Sequence, residues 1–124
     1  MGRKGKTLLD TNAVVYFLEG REEFQSIGDY GSFYYSFITE IELLSFGDEE
    51  RRKKISEFLK IGKRIDIDNK IIAGTIDVRR KKRLKVPDAI IVSSARIKKV
   101  ALFTSDEEII RKVDDLKVIN LLKK

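Results

Sequence analysis

The 124-residue chain has no histidine, no cysteine and no tryptophan, and its one proline is Pro87. Without cysteine there is no disulfide, no thiol nucleophile and no zinc–thiolate site; without histidine there is no imidazole base and no imidazole metal ligand. Ser-His-Asp and Cys-His catalysis are excluded outright. Any chemistry therefore falls to carboxylates, hydroxyls, lysines and a bound metal that prefers oxygen. Long apolar runs are also missing. No stretch approaches the ~18 apolar residues of a membrane span, and Met1 to Lys6 carries no secretory apolar segment. The expectation is a cytoplasmic protein without a membrane partner.

What is present fits one compact domain over residues 1–124, since 42% hydrophobic residues suffice for a single core. Lysine and arginine total 26 against 20 acids, a net charge of +6 that favours a polyanionic partner. The surplus gathers at Lys4 to Lys6, Arg51 to Lys54, Arg79 to Lys85, Lys98-Lys99 and Lys123-Lys124. Runs of this kind also occur on plain solvated helix faces.

Short apolar strands alternate with helical periodicity along the whole chain. Thr7-Leu8-Leu9 is a strand leading through Asp10 into a helix carrying Ala13, Val14, Phe17 and Leu18. Gly20 ends that helix, Glu22 to Ile27 offers a short helical turn, and Ser32 to Phe37 is an aromatic-rich second strand. A helix over Ile38 to Phe46 is expected to carry Ile38, Ile41, Leu44 and Ser45 along one side. Asp48 caps the next helix and Gly62 suits its C′ position. A strand over Arg64 to Ile67 precedes a helix capped by Asp68 and carrying Ile71, Ile72, Thr75, Ile76 and Arg79. Pro87 opens another helix, Val100 to Thr104 is a strand, Ser105 to Glu108 has the form of a capping box, and Lys117 to Leu121 is the last strand. This alternation predicts an α/β fold, a parallel sheet covered by helices on both faces.

On that map Asp10, Glu42, Asp88 and Asp106 all fall where strands end or helices begin. In a parallel α/β layout these positions share one rim, where such sheets bind their ligands. Each acid also has an ordinary alternative in helix capping, and Thr39 to Glu42 has capping-box spacing. Clustered carboxylates repel and raise one another's pKa unless a cation neutralises them, and Mg²⁺ or Mn²⁺ is the natural counter-ion for oxygen ligands. Such an ion supports phosphodiester hydrolysis without histidine or cysteine. Asn12 and Thr104 stand beside these acids as supporting hydrogen-bonding groups. Phosphates of a polyanionic partner are expected to approach along Arg79, Arg80, Lys81, Lys82 and Arg96.

The segments Leu8 to Asn12, Ile38 to Leu44, Leu84 to Ile91 and Leu102 to Asp106 resemble the four acidic motifs of PIN-domain ribonucleases, specifically VapC-type toxins of toxin–antitoxin pairs. The resemblance covers nearly the whole chain. It implies a three-layer α/β/α fold with a central parallel sheet, a Mg²⁺- or Mn²⁺-dependent endoribonuclease site, a homodimer, and inhibition by a VapB-type antitoxin. Carried over, Asp10 and Asp88 would be the principal metal ligands, Glu42 a further ligand or water-positioning group, and Asp106 the fourth acid, acting through water. Glu40 is the alternative to Glu42, and Glu107 the alternative to Asp106. Rival readings are an RNA-processing nuclease that is not a toxin and a non-catalytic module binding RNA or protein. An aspartyl phosphotransferase is disfavoured, because Asn12 stands where its second Asp belongs.

Overall fold

Every strand is short, so the sheet is assembled from segments that bury almost entirely. The computed structural model describes residues 6–30 and 32–122. Gly31 and the basic residues Lys4, Lys123 and Lys124 lie outside them. The strands are β1 (Thr7–Leu9), β2 (Phe33–Ser36), β3 (Lys63–Ile65), β4 (Ala101–Phe103) and β5 (Val118–Ile119), in the spatial order β3-β2-β1-β4-β5. All four pairings are parallel. The helices are α1 (Thr11–Leu18), α2 (Phe37–Leu44), α3 (Glu49–Leu59), α4 (Asn69–Lys82), α5 (Val86–Lys98) and α6 (Glu107–Lys112), with a 3-10 helix over Glu22–Asp29.

Side chains of successive strand residues point to opposite faces, and the two cores follow that alternation. Leu8 and Leu102 pack with Ile71, Val78 and Ile91 of the α4–α5 side, whereas Leu9 and Phe103 pack with Val14, Phe24 and Ile55 on the other. This is the expected three-layer arrangement. No helix among the described residues is long and apolar enough to cross a membrane.

Several local expectations are corrected. The N-cap of α2 is Ser36, whose hydroxyl accepts from the Ile38 amide at 3.1 Å, so Thr39 lies inside the helix and does not open a capping box. Ile41, expected along one side with Ile38, Leu44 and Ser45, is 55% exposed, and the apolar residue that the helix buries is Leu43. The N-cap of α6 is Asp106, not Ser105, because the Asp106 carboxylate accepts from Ile109 N at 3.0 Å. On α4, Ile71 and Val78 are buried while Ile72 and Ile76 are 45% and 54% exposed. That helix meets α5 along a narrow line, where a Cβ on Gly74 would stand 2.2 Å from Ser93 Oγ. Gly62 has no left-handed backbone; a Cβ there would collide with the Phe33 ring at 2.2 Å, so close packing rather than a C′ turn requires glycine.

Candidate active site

Parallel strands deliver their carboxyl ends to one edge, and the acids appear there for local reasons. Asp10 follows β1 and caps α1: its Oδ1 accepts from Ala13 N at 2.8 Å, while its own N–H donates to Phe103 O at 3.1 Å and ties the residue to β4. Thr104, buried just beyond β4, donates its hydroxyl to Asp10 Oδ2. The same hydroxyl oxygen accepts from the Asp106 amide at 3.0 Å. One threonine thus links the first and fourth acids across β1 and β4. Glu42 projects from α2 and accepts from the Thr11 hydroxyl at 2.6 Å, and Thr11 Oγ1 lies 3.1 Å from Thr39 Oγ1. The Thr11 hydroxyl directs its one proton to Glu42, so Thr39 donates to Thr11. Asp88 lies in the first turn of α5, beside Pro87.

Asp10, Glu42, Asp88 and Asp106 line one cleft of about 380 Å³, together with Asn12. Its walls include Val15, Leu43, Phe46 and Ile91. None of the four acids forms an ion pair among the described residues. Burial drives the Asp10 carboxyl from its usual 3.8 up to about 6; the Thr104 hydroxyl and Ala13 amide pull it down, and Asp106 and Asp88 push it further up. Asp88 is also raised, first by burial and then by Asp106, with Glu42 and Glu108 adding to the rise and Lys85 opposing it. Both shifts follow first from burial and then from carboxylates within electrostatic reach of one another, opposed at Asp88 by Lys85.

The family model of the PIN domain matches residues 7–116. The chain belongs to the PIN domain family. PIN domains are generally nucleases, and the acid-lined cleft is chemically suited to that activity. No curated protein sequence matches the chain. Among solved structures it is similar to a toxin–antitoxin complex from Klebsiella pneumoniae, at TM-score 0.81 and 24% identity, covering 93% of this chain and 97% of that one. It is also similar to DNA-bound VapBC from Salmonella typhimurium, at TM-score 0.80 and 16% identity over 95% and 99% of the two chains. VapBC2 from Rickettsia felis, bound to a fragment of its promoter DNA, gives TM-score 0.78 and 19% identity over 93% and 98%. These likenesses establish the PIN fold.

Within this PIN domain the alternative acids fall elsewhere. Glu40 pairs with Arg64 at 3.2 Å, and Glu107 lines a separate hollow with Asn120 and Leu122. The basic residues expected to meet phosphates do not line the cleft. Arg79 donates to Leu84 O at 3.1 Å; Lys81 pairs with Asp77, Lys82 with Asp114, and Arg96 with Asp115. The cation that does line it is Arg51, which sequence reading left in a general basic run. A signal was available in its position three residues after the cap Asp48, close behind the exposed Phe46.

The donor set fits a hard divalent cation. It consists of oxygen only, and each oxygen of Asp10 accepts one hydrogen bond and retains a lone pair. Among the described residues no three acids are arranged to hold an ion by themselves.

Proposed function

We propose that this PIN domain is a Mg²⁺- or Mn²⁺-dependent endoribonuclease, the toxin of a VapBC-type pair, acting in the cytoplasm as a homodimer and inhibited by a VapB-type antitoxin. The observation that carries the nuclease reading is the gathering of Asp10, Glu42, Asp88 and Asp106 around one cleft with no cation among the described residues paired to any of them. The toxin reading is supported by the fold likeness to toxin–antitoxin complexes.

Asp10 and Asp88 would hold the metal, which when bound polarises the scissile phosphate and activates water. Glu42, fixed by Thr11, would orient the attacking water. Asp106 would act through water, and Thr104 keeps the Asp10 carboxylate at its station. The amide of Asn12, which lines the cleft, would donate to a phosphate oxygen. Arg79, Arg80, Lys81, Lys82 and Arg96 would meet the substrate outside the cleft. The Lys81–Asp77 pair is exposed on both sides and worth only about 0–1 kcal/mol, so exchanging its carboxylate for a phosphate costs little.

The test is cleavage of a mixed structured RNA pool by purified protein with Mn²⁺, with chelator, and by Asp88→Asn. Cleavage is expected to fall at least about 100-fold in both controls, beyond the usual loss from disturbing a ligand's outer partner. Equal cleavage by Asp88→Asn would remove this residue, and the metal site built on it, from the reaction.

A further inference from the structure

Phe46 is 70% exposed and joins neither core, yet its ring stands at the acid-lined cleft. Other large apolar side chains are exposed too, Ile61 at 74% among them, but of these Phe46 is the one that lines the cleft, and its ring offers a face for stacking. Its neighbour in the cleft wall is Arg51. The Arg51 Nη1 group donates to Leu43 O at 3.2 Å and to Phe46 O at 3.3 Å, two carbonyls at the end of α2. The side chain is laid against the turn by Gly47, whose φ is +86° and where a Cβ would meet Arg51 Cδ at 2.7 Å. Nε and Nη2 are left without a protein acceptor among the described residues, and Arg51 forms no ion pair with the nearby acids. The guanidinium is therefore not the counter-ion of the acidic cluster. It presents a half-buried, oriented positive charge with donors to spare.

An aromatic face and a fixed guanidinium, joined through one turn, match the two halves of a nucleotide. We propose that Phe46 and Arg51 form a subsite for one unpaired nucleotide flanking the scissile bond, with the base stacked on Phe46 and its phosphate bound by Arg51. Single-stranded RNA is the ligand class, because a base within a duplex cannot offer its face to the ring. This inference rests on the nuclease reading and adds a strand preference to it.

The experiment measures binding of a fluorescent mixed-sequence single-stranded RNA, and of a duplex RNA, to the uncleaving Asp88→Asn protein in chelator across a salt series. Phe46→Ala added to this background is expected to weaken single-strand binding about five- to hundredfold with an unchanged salt slope, and to leave duplex binding alone. Arg51→Gln should weaken binding and reduce the slope of log K against log salt by about 0.7, with Arg51→Lys restoring the slope. Lys53→Gln, an equal charge change on the exposed face of the same helix, serves as the reference. Melting temperatures are recorded for all variants. A destabilised Arg51→Gln protein that keeps its salt slope would reduce Arg51 to a cap on α2 and overturn the proposal. Phe46→Ala that binds single strands normally would overturn it too, as would a Phe46→Ala change confined to oligomeric state. If Asp88→Asn itself binds no RNA, the subsite falls, while cleavage by the parent with Mn²⁺ decides the nuclease reading separately.

Discussion

Two regions of this molecule hold their charges in opposite ways. Around the α4–α5 hairpin acids and bases come in pairs: Lys81 with Asp77 at 3.2 Å, Lys82 with Asp114 at 3.3 Å, and Arg96 with Asp115 at 2.6 Å. At the carboxyl edge of the sheet the cleft gathers acids, and none of them is ion-paired among the described residues. The residue types are the same; the solvent differs. On the outer surface water screens each charge and a pair forms at little cost or gain, whereas Asp10 is 5% exposed and carries its repulsion with Asp88 and Asp106 in a poorly screened site. A fold selected for stability alone would not bury the Asp10 carboxyl within reach of Asp88 and Asp106. The unpaired cleft is a local expense borne by the rest of the structure.

The largest break in that contrast comes from Asp10. Its folded carboxyl is raised from 3.8 to about 6, so between those values the folded protein binds more protons than the unfolded chain. Metal-free protein should therefore gain stability as pH falls from 7 towards 4, by at most about 3 kcal/mol, and lose it again as pH rises through about 6. Asp10→Asn keeps an N-cap residue of equal quality while removing the charge. It should melt at a higher temperature than the parent at pH 7 in chelator, flatten the pH dependence, and lose the stabilisation that Mn²⁺ gives the parent. Denaturant melts across pH, with and without Mn²⁺, measure all three. A variant as pH-sensitive and as Mn²⁺-responsive as the parent would take Asp10 out of the site.

Much of this arrangement is legible in the sequence because it is local. Leu8 and Leu9 alternate into the two cores, and the acid that follows a buried strand and opens a helix can only emerge at the carboxyl edge. The parallel sheet follows from the alternation of elements, and the caps Asp48 and Asp68 from their positions before helical runs. What escapes is set by partners remote in sequence. Thr11 holds Glu42 from 31 positions away, and Arg64 draws Glu40 to the outer surface from 24. The basic tract looks free until Asp114 and Asp115 arrive from the segment after α6. Arg51 reads as one of four successive cations, and only the fold shows its stem laid over Gly47 towards the cleft.

A smaller effect comes from removing a hydroxyl rather than a charge. Thr104→Val preserves shape but strips Asp10 of a donor and leaves the Asp106 amide without its acceptor. The loss of a hydrogen bond to a buried charged group should cost about 1.5–3 kcal/mol at pH 7. Because Thr104 holds the Asp10 carboxyl down, its loss moves that titration further upward, and the stability gap from the parent should shrink as acidification neutralises Asp10. A gap that stays constant from pH 7 to 4 would show that the hydroxyl supports only the backbone turn.

The smallest effect belongs to the other region. In the Lys82–Asp114 pair Asp114 is 86% exposed, so most of its hydration survives pairing and little attraction remains after the ordering of two long side chains. Lys82→Gln should shift stability by no more than about 0.5 kcal/mol, and a double-mutant cycle with Asp114→Asn should return a coupling of the same size that fades with added salt. Asp114→Asn in metal-free protein should be equally mild, in contrast to the gain from Asp10→Asn. A coupling well above 1 kcal/mol would mean that the outer pairs fasten the segment after α6 to the hairpin. The two regions would then differ in whether they stabilise the fold, and not merely in how well water screens them.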